Sequence, residues 1–114
     1  MIRTHYVHEL ESVRQNLIQM GETTLALLAE AARTFADPHT SPSEEASELE
    51  AQTDHQYRGI HDQCLNLLTL QAPVAPDARL VTGVLDAIID LELKGNYAYE
   101  IVTLRGSMKS RAAG

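Results

Sequence analysis

Tryptophan is absent from the 114-residue sequence, phenylalanine occurs once and tyrosine four times. With so few aromatics the core must be built from Leu, Val, Ile and Ala, which favours helix packing over a β-sandwich or barrel. Cysteine occurs once, as Cys64, so no internal disulfide can form. A stapled secreted scaffold is thereby excluded, and a reducing cytoplasm fits. No run of about eighteen apolar residues is present to span a bilayer, and the opening segment MIRTHYVHELESVRQ lacks the apolar stretch of a signal peptide. Neither membrane insertion nor targeting is expected.

Positive charge is also short, with nine Lys and Arg against sixteen Asp and Glu and a net charge of −7. Nucleic acids and anionic membranes demand a clustered basic surface that releases counterions. The expected partner is therefore a protein or a cation, not a nucleic acid. Arg105, Lys109 and Arg111 gather near the end of the chain, among small residues that finish Ala112, Ala113, Gly114. That composition reads as a flexible tail over residues 106–114, following a single domain over residues 1–105. A chain of this length holds one core.

What the sequence does contain is helical periodicity. Leu10, Val13, Leu17, Met20, Thr24, Leu27 and Ala31 recur in steps of three and four, which predicts a first helix over about 8–35. The turn-rich ADPHTSPS ends it. Ser41, Pro42 and Glu44 then form a start signal, with a capping hydroxyl, proline in the first turn and a glutamate that can reach back to the cap amide. The second seam is Leu49, Thr53, Tyr57, Ile60, Cys64 and Leu67, and that helix is expected to end near Gln71, before Pro73 and Pro76. Asp77 opens a third, with apolar positions at Leu80, Val84, Leu85, Ile88, Leu91 and Val102 and an end near Leu104. Gly83 and Gly95 interrupt it at roughly 1 kcal/mol each relative to Ala, a cost that close approach to another helix offsets. Three such helices predict an all-α, antiparallel three-helix bundle, with a helical hairpin completed by dimerisation as the alternative.

The third helix carries the informative polar residues Asp86, Asp90, Glu92, Asn96 and Glu100. At about 100° per residue, Asp86 and Asp90 point away from the Val84, Ile88, Tyr99 stripe, whereas Glu92 falls within it and Asn96 lies one turn further on. A carboxylate on an apolar stripe has to be paired, protonated or metal-bound. Two readings follow for Glu92. It pairs with an Arg or Tyr of another helix, or it joins Asn96 and acidic groups of a neighbouring helix or subunit in an oxygen-rich site for a divalent or iron-type cation. Asp86 and Asp90 read as a solvated face.

The histidines do not form a zinc site: His5 and His8 are one turn apart with no further His or Cys nearby, His55 and His61 share no face, and His39 is in a loop. Cys64 occupies an apolar seam, where thiols are inert. No glycine-rich phosphate loop and no concave acid–base arrangement is visible, so no catalytic residues are assigned, and the residues leave open a metal-storing or metal-sensing bundle and a purely structural helical module.

Three segments also resemble a known family in order. RTHYVHELESVRQNLIQMGE (residues 3–22) is similar to the opening helix of PhoU repeats. CLNLLTLQAPVAPDARLV (64–81) is similar to the end of their second helix, its Pro-Val-Ala turn and the Asp-x-Arg start of the third, and DLELKGNYAYEI (90–101) to their acidic signature helix. The resemblance implies a three-helix bundle and a non-enzymatic role in phosphate homeostasis, through contacts with a phosphate-sensing histidine kinase or a phosphate transporter. It also implies a metal site in which Glu92 matches the first acid of the motif, Asn96 its final Asp and Asp90 the Asp that opens the run. Two departures bear on this: Asn96 replaces an acid, which weakens a cation site, and the chain matches one repeat of a two-repeat protein. A homodimer that rebuilds six helices is the expected consequence.

Overall fold

In the computed structural model, residues 2–37, 39, 44–70 and 75–113 are described, and among them the chain forms three α-helices and no strand. They are α1 (Ile2–Ala36), α2 (Glu44–Leu70) and α3 (Ala75–Ala113). Each helix packs on the other two, giving a slender bundle with extents of 63 × 18 × 17 Å. Leu10 and Val13 of α1 line a groove with Leu80 and Val81 of α3, and at the other end Phe35 lies beside Leu104. The first and third helices therefore run parallel. α2 runs against both, with Gln63 bonded to Ser12 and Asn16.

The seams read from the sequence are the core. Met20, Leu27, Ile60, Cys64 and Ile88 are fully buried. Two apolar clusters share the length of the bundle. The larger unites Tyr6, Val13, Met20, Ile60, Cys64, Leu67, Val81, Val84 and Ile88. The smaller is built around Leu27 and Val102 with three alanines, Ala31, Ala46 and Ala98. Between them lies a layer of buried Thr24, Thr53 and Gly95. Thr53 turns its hydroxyl back to Leu49 O at 2.9 Å, so its methyl face is left for packing. The Cys64 thiol, buried in the larger cluster, has its pKa pushed up to about 11 by desolvation and is inert as a nucleophile.

The helix ends differ from those expected. α1 begins at Ile2 and not near His8, because the apolar stripe extends one turn back from Leu10 to buried Tyr6. His5 and His8 are exposed on that turn. α3 begins at Ala75, with Pro76 and Asp77 in its first turn, where a missing N–H and a negative charge both suit the helix N-terminus. Its end is displaced furthest. The helix continues past Leu104 to Ala113, so most of the stretch read as a tail, residues 106–113, is helical. The reason lies in α1: Arg105 Nε donates to Thr34 O at 3.3 Å, one of the last-turn carbonyls that a helix cannot satisfy itself, and Met108 lies against Phe35. The cap residues Ser41 and Pro42, the turn containing Pro73, and the side chains of Lys109 and Arg111 lie outside the described residues.

The larger cluster dominates the apolar burial. Ile88→Ala should lower the unfolding free energy by about 2–5 kcal/mol through lost transfer energy and a residual cavity. Gln52→Ala, on the exposed face of α2, should stay within about 0.5 kcal/mol of the parent. Urea unfolding followed by circular dichroism measures both.

Candidate functional site

Glycine at position 95 brings α2 and α3 together beside the threonine layer. A Cβ built there would stand 3.4 Å from Thr53 Cγ2, 3.8 Å from Leu27 Cδ2 and 4.0 Å from Glu50 Oε2. The gap is just that of ordinary contact, so an alanine fits and anything larger displaces Thr53. Gly83 has open space around it and plays no such part.

This approach sets Glu92 of α3 against Asp54 and Glu50 of α2. Glu92 is half-buried, and its pKa is raised from an ordinary 4.5 to about 7. Desolvation is the first cause, followed by a carboxyl–carboxyl hydrogen bond with Asp54 and the charges of Asp54 and Glu50, with Arg58 opposing them. Such a bond requires one of the two carboxyls to keep its proton. Arg58 ion-pairs with Asp54 at 2.8 Å from the solvent side. Glu50 also has its pKa raised, by burial and then by Asp54, and its Oε2 is buried without a hydrogen-bond partner among the described residues. Three acids thus share one seam.

Of the residues singled out in the sequence, Glu92 and half-buried Asn96 lie on this seam side of α3. Asp90 does not: it is exposed and ion-paired with Lys94 one turn along its own helix. Asp86 is likewise exposed. Around Glu92 the α2 side supplies both kinds of group that the sequence raised, the acids Asp54 and Glu50 and the opposing charge of Arg58. Glu50 and Asp54 escaped the sequence reading. The signal was their spacing: Glu50-Ala-Gln-Thr-Asp54 sets two acids at i, i+4 beside the Leu49, Thr53 seam, as Glu92 and Asn96 are set on α3.

Chemically, the seam is a place for a shared proton. Among the described residues no three His, Cys, Asp or Glu side chains converge into a group that could hold a metal ion. As placed, the carboxyls bond to one another. The seam contains no nucleophile or base aimed at a concave pocket.

Among the described residues the chain is an all-α three-helix bundle in which α2 and α3 share half-buried carboxyls along one seam. The chain belongs to the PhoU family, whose domain model, described as PhoU domain, matches residues 17–104. It is 31% identical over 99 residues to a phosphate-specific transport system accessory protein PhoU homolog of Synechocystis, covering 87% of this chain and 44% of that protein. It is 28% identical over 103 residues to a protein of the same description from Pseudomonas aeruginosa, covering 86% and 43%. An uncharacterized protein of Deinococcus radiodurans is 30% identical over 112 residues, covering 98% and 50%. The chain spans about half the length of these relatives. No solved structure matches it.

The carboxyl seam has a measurable pH signature. Glu92 holds its proton up to about pH 7 in the fold but only to about 4.5 when unfolded. Between these values the folded state binds more protons, so stability should fall as pH rises from about 4.5 to about 7 and level off above. Glu92→Gln should flatten this slope and raise stability at pH 8, measured by urea unfolding with a chelator present. A slope unchanged by the substitution would remove Glu92 as its source.

Proposed function

We propose that the chain is a non-enzymatic regulator of phosphate homeostasis that acts in the cytoplasm, by contact with a phosphate transporter subunit, a phosphate-sensing histidine kinase, or both. The observation that carries this reading is the family match, which takes in 88 of the 114 residues, 17–104. It is supported by relatives named as accessory proteins of phosphate-specific transport over 86–87% of the chain. No described helix is long and apolar enough to cross a membrane, so a transporter contact would be made from outside the bilayer. A homodimer, in which two bundles pair, is part of the same proposal.

A tagged pull-down from cells grown with ample and with limiting phosphate tests the reading. The expected result is recovery of a phosphate-transporter subunit or a histidine kinase in amounts that change with phosphate. Recovery of neither under either condition would overturn it.

The buried, unpartnered Glu50 Oε2 favours a second reading, in which Glu92 and Asn96 take up a divalent cation in place of the shared proton, with Glu50 and Asp54 turning towards it from positions where the acids do not yet converge. Asp90, turned to solvent, stands outside that set. Binding to the folded state alone must raise stability. Added Mn²⁺ should therefore raise the melting temperature of the parent and leave Glu92→Gln unmoved; a parent melting temperature indifferent to the ion would sink this reading.

A further inference from the structure

The large apolar side chains left exposed are distributed unevenly. Among the described residues five lie on α1, seven on α3 and one, Leu65, on α2. They also converge. Phe35, at the end of α1, lines a groove of about 110 Å³ with Ile101, Leu104 and Met108 of α3. From Phe35 the stripe runs back along α1 in steps of seven, three and seven, through Leu28, Leu25 and Ile18, and from Ile101 back along α3 one turn to Tyr97. Phe35 is 70% exposed, Leu104 63% and Tyr97 56%. This is the flank where the two parallel helices meet, and in a bundle of three mutually packed helices it faces away from α2. A contiguous apolar flank of this kind is an interaction surface.

Charge says which occupant suits it. α2 carries six acidic residues and one basic, α1 four and three, α3 five and five. Of the net charge of −7, α2 alone supplies −5. Two copies that met through α2 would bring like charges together. Two copies that meet through the α1–α3 flank keep both α2 helices on the outside and bury nearly neutral helices against each other. One side of a bundle with extents of 63 × 18 × 17 Å has room for the roughly 800 Å² per partner of a standard stable interface. An isologous two-fold contact needs one self-complementary patch, and an apolar stripe flanked by balanced charge provides it.

We infer that this α1–α3 flank, centred on Phe35, Tyr97 and Leu104, is the surface on which a second copy of the chain docks. The inference rests on the homodimer included in the proposed function and specifies its interface. It leaves the Glu50, Asp54 and Glu92 seam outside the contact, on the α2 side of α3 in each copy.

The test is the solution mass of the full chain at micromolar concentration by sedimentation or light scattering. The parent should show twice the chain mass of 12.6 kDa. Tyr97→Glu and Leu104→Glu, both at exposed positions, should halve it while leaving the helical circular dichroism unchanged, and Leu65→Glu on α2 should keep the dimer. A parent that is monomeric across the micromolar range overturns both the homodimer and this interface, and assigns the flank to another segment or protein. A dimer that survives both α3 charges, or that is lost only with Leu65→Glu, overturns the interface and leaves the homodimer standing.

Discussion

The close approach of α2 to α3 at Gly95 is the constraint from which the site follows. Even a methyl group at that position would stand in ordinary contact with Thr53, and the residues flanking Thr53 by a turn or less are brought over the same stretch of α3. Glu50 and Asp54 are those residues. They meet Glu92 because Glu92 lies three residues before Gly95 and therefore on nearly the same side of the helix. The resulting seam lies at the level where the core changes from large aliphatic side chains to alanines. The neighbouring layer is threonine and glycine, which fill little space, and the Thr53 hydroxyl is engaged by Leu49 O.

Most of the fold was legible in the amino-acid pattern, because a period of 3.6 residues records burial directly. Met20, Leu27, Ile60, Cys64, Leu67 and Ile88 were each placed on a seam by spacing alone, and each is buried. The helix ends were harder, since they are decided by tertiary contacts that leave no periodic trace. Tyr6 extends α1 backwards by packing into the larger cluster. Arg105 extends α3 forwards by answering a carbonyl of a helix about seventy residues earlier. An arginine followed by glycine and serine looks locally like the end of a helix, and only the neighbouring end of α1 makes it otherwise.

The site was half legible. Glu92 stood out because a carboxylate on an apolar stripe is an anomaly that a one-dimensional pattern can expose. Glu50 and Asp54 did not, because the first half of α2 is acidic throughout, and an acid among Glu44, Glu45 and Glu48 attracts no notice. Which acids of such a run turn inward is decided by rotation about the helix axis, and here Thr53 fixes it. Asp90 shows the converse. It shares a segment with Glu92 but sits two residues away, on the far side of the helix, where Lys94 neutralises it.

One helix therefore carries two different surfaces. On the α2 side α3 presents Glu92 and Asn96 to an acidic neighbour, and on the outer and α1 side it presents Tyr97, Ile101 and Leu104 to solvent. The division follows from charge as much as from shape. An excess of acid placed on α2 keeps the bundle apart from anionic surfaces, adds to the desolvation that raises the Glu92 pKa and leaves the α1–α3 flank as the part of the molecule where apolar contact meets the least repulsion. Both surfaces are built on one helix, spaced by a few residues around its circumference.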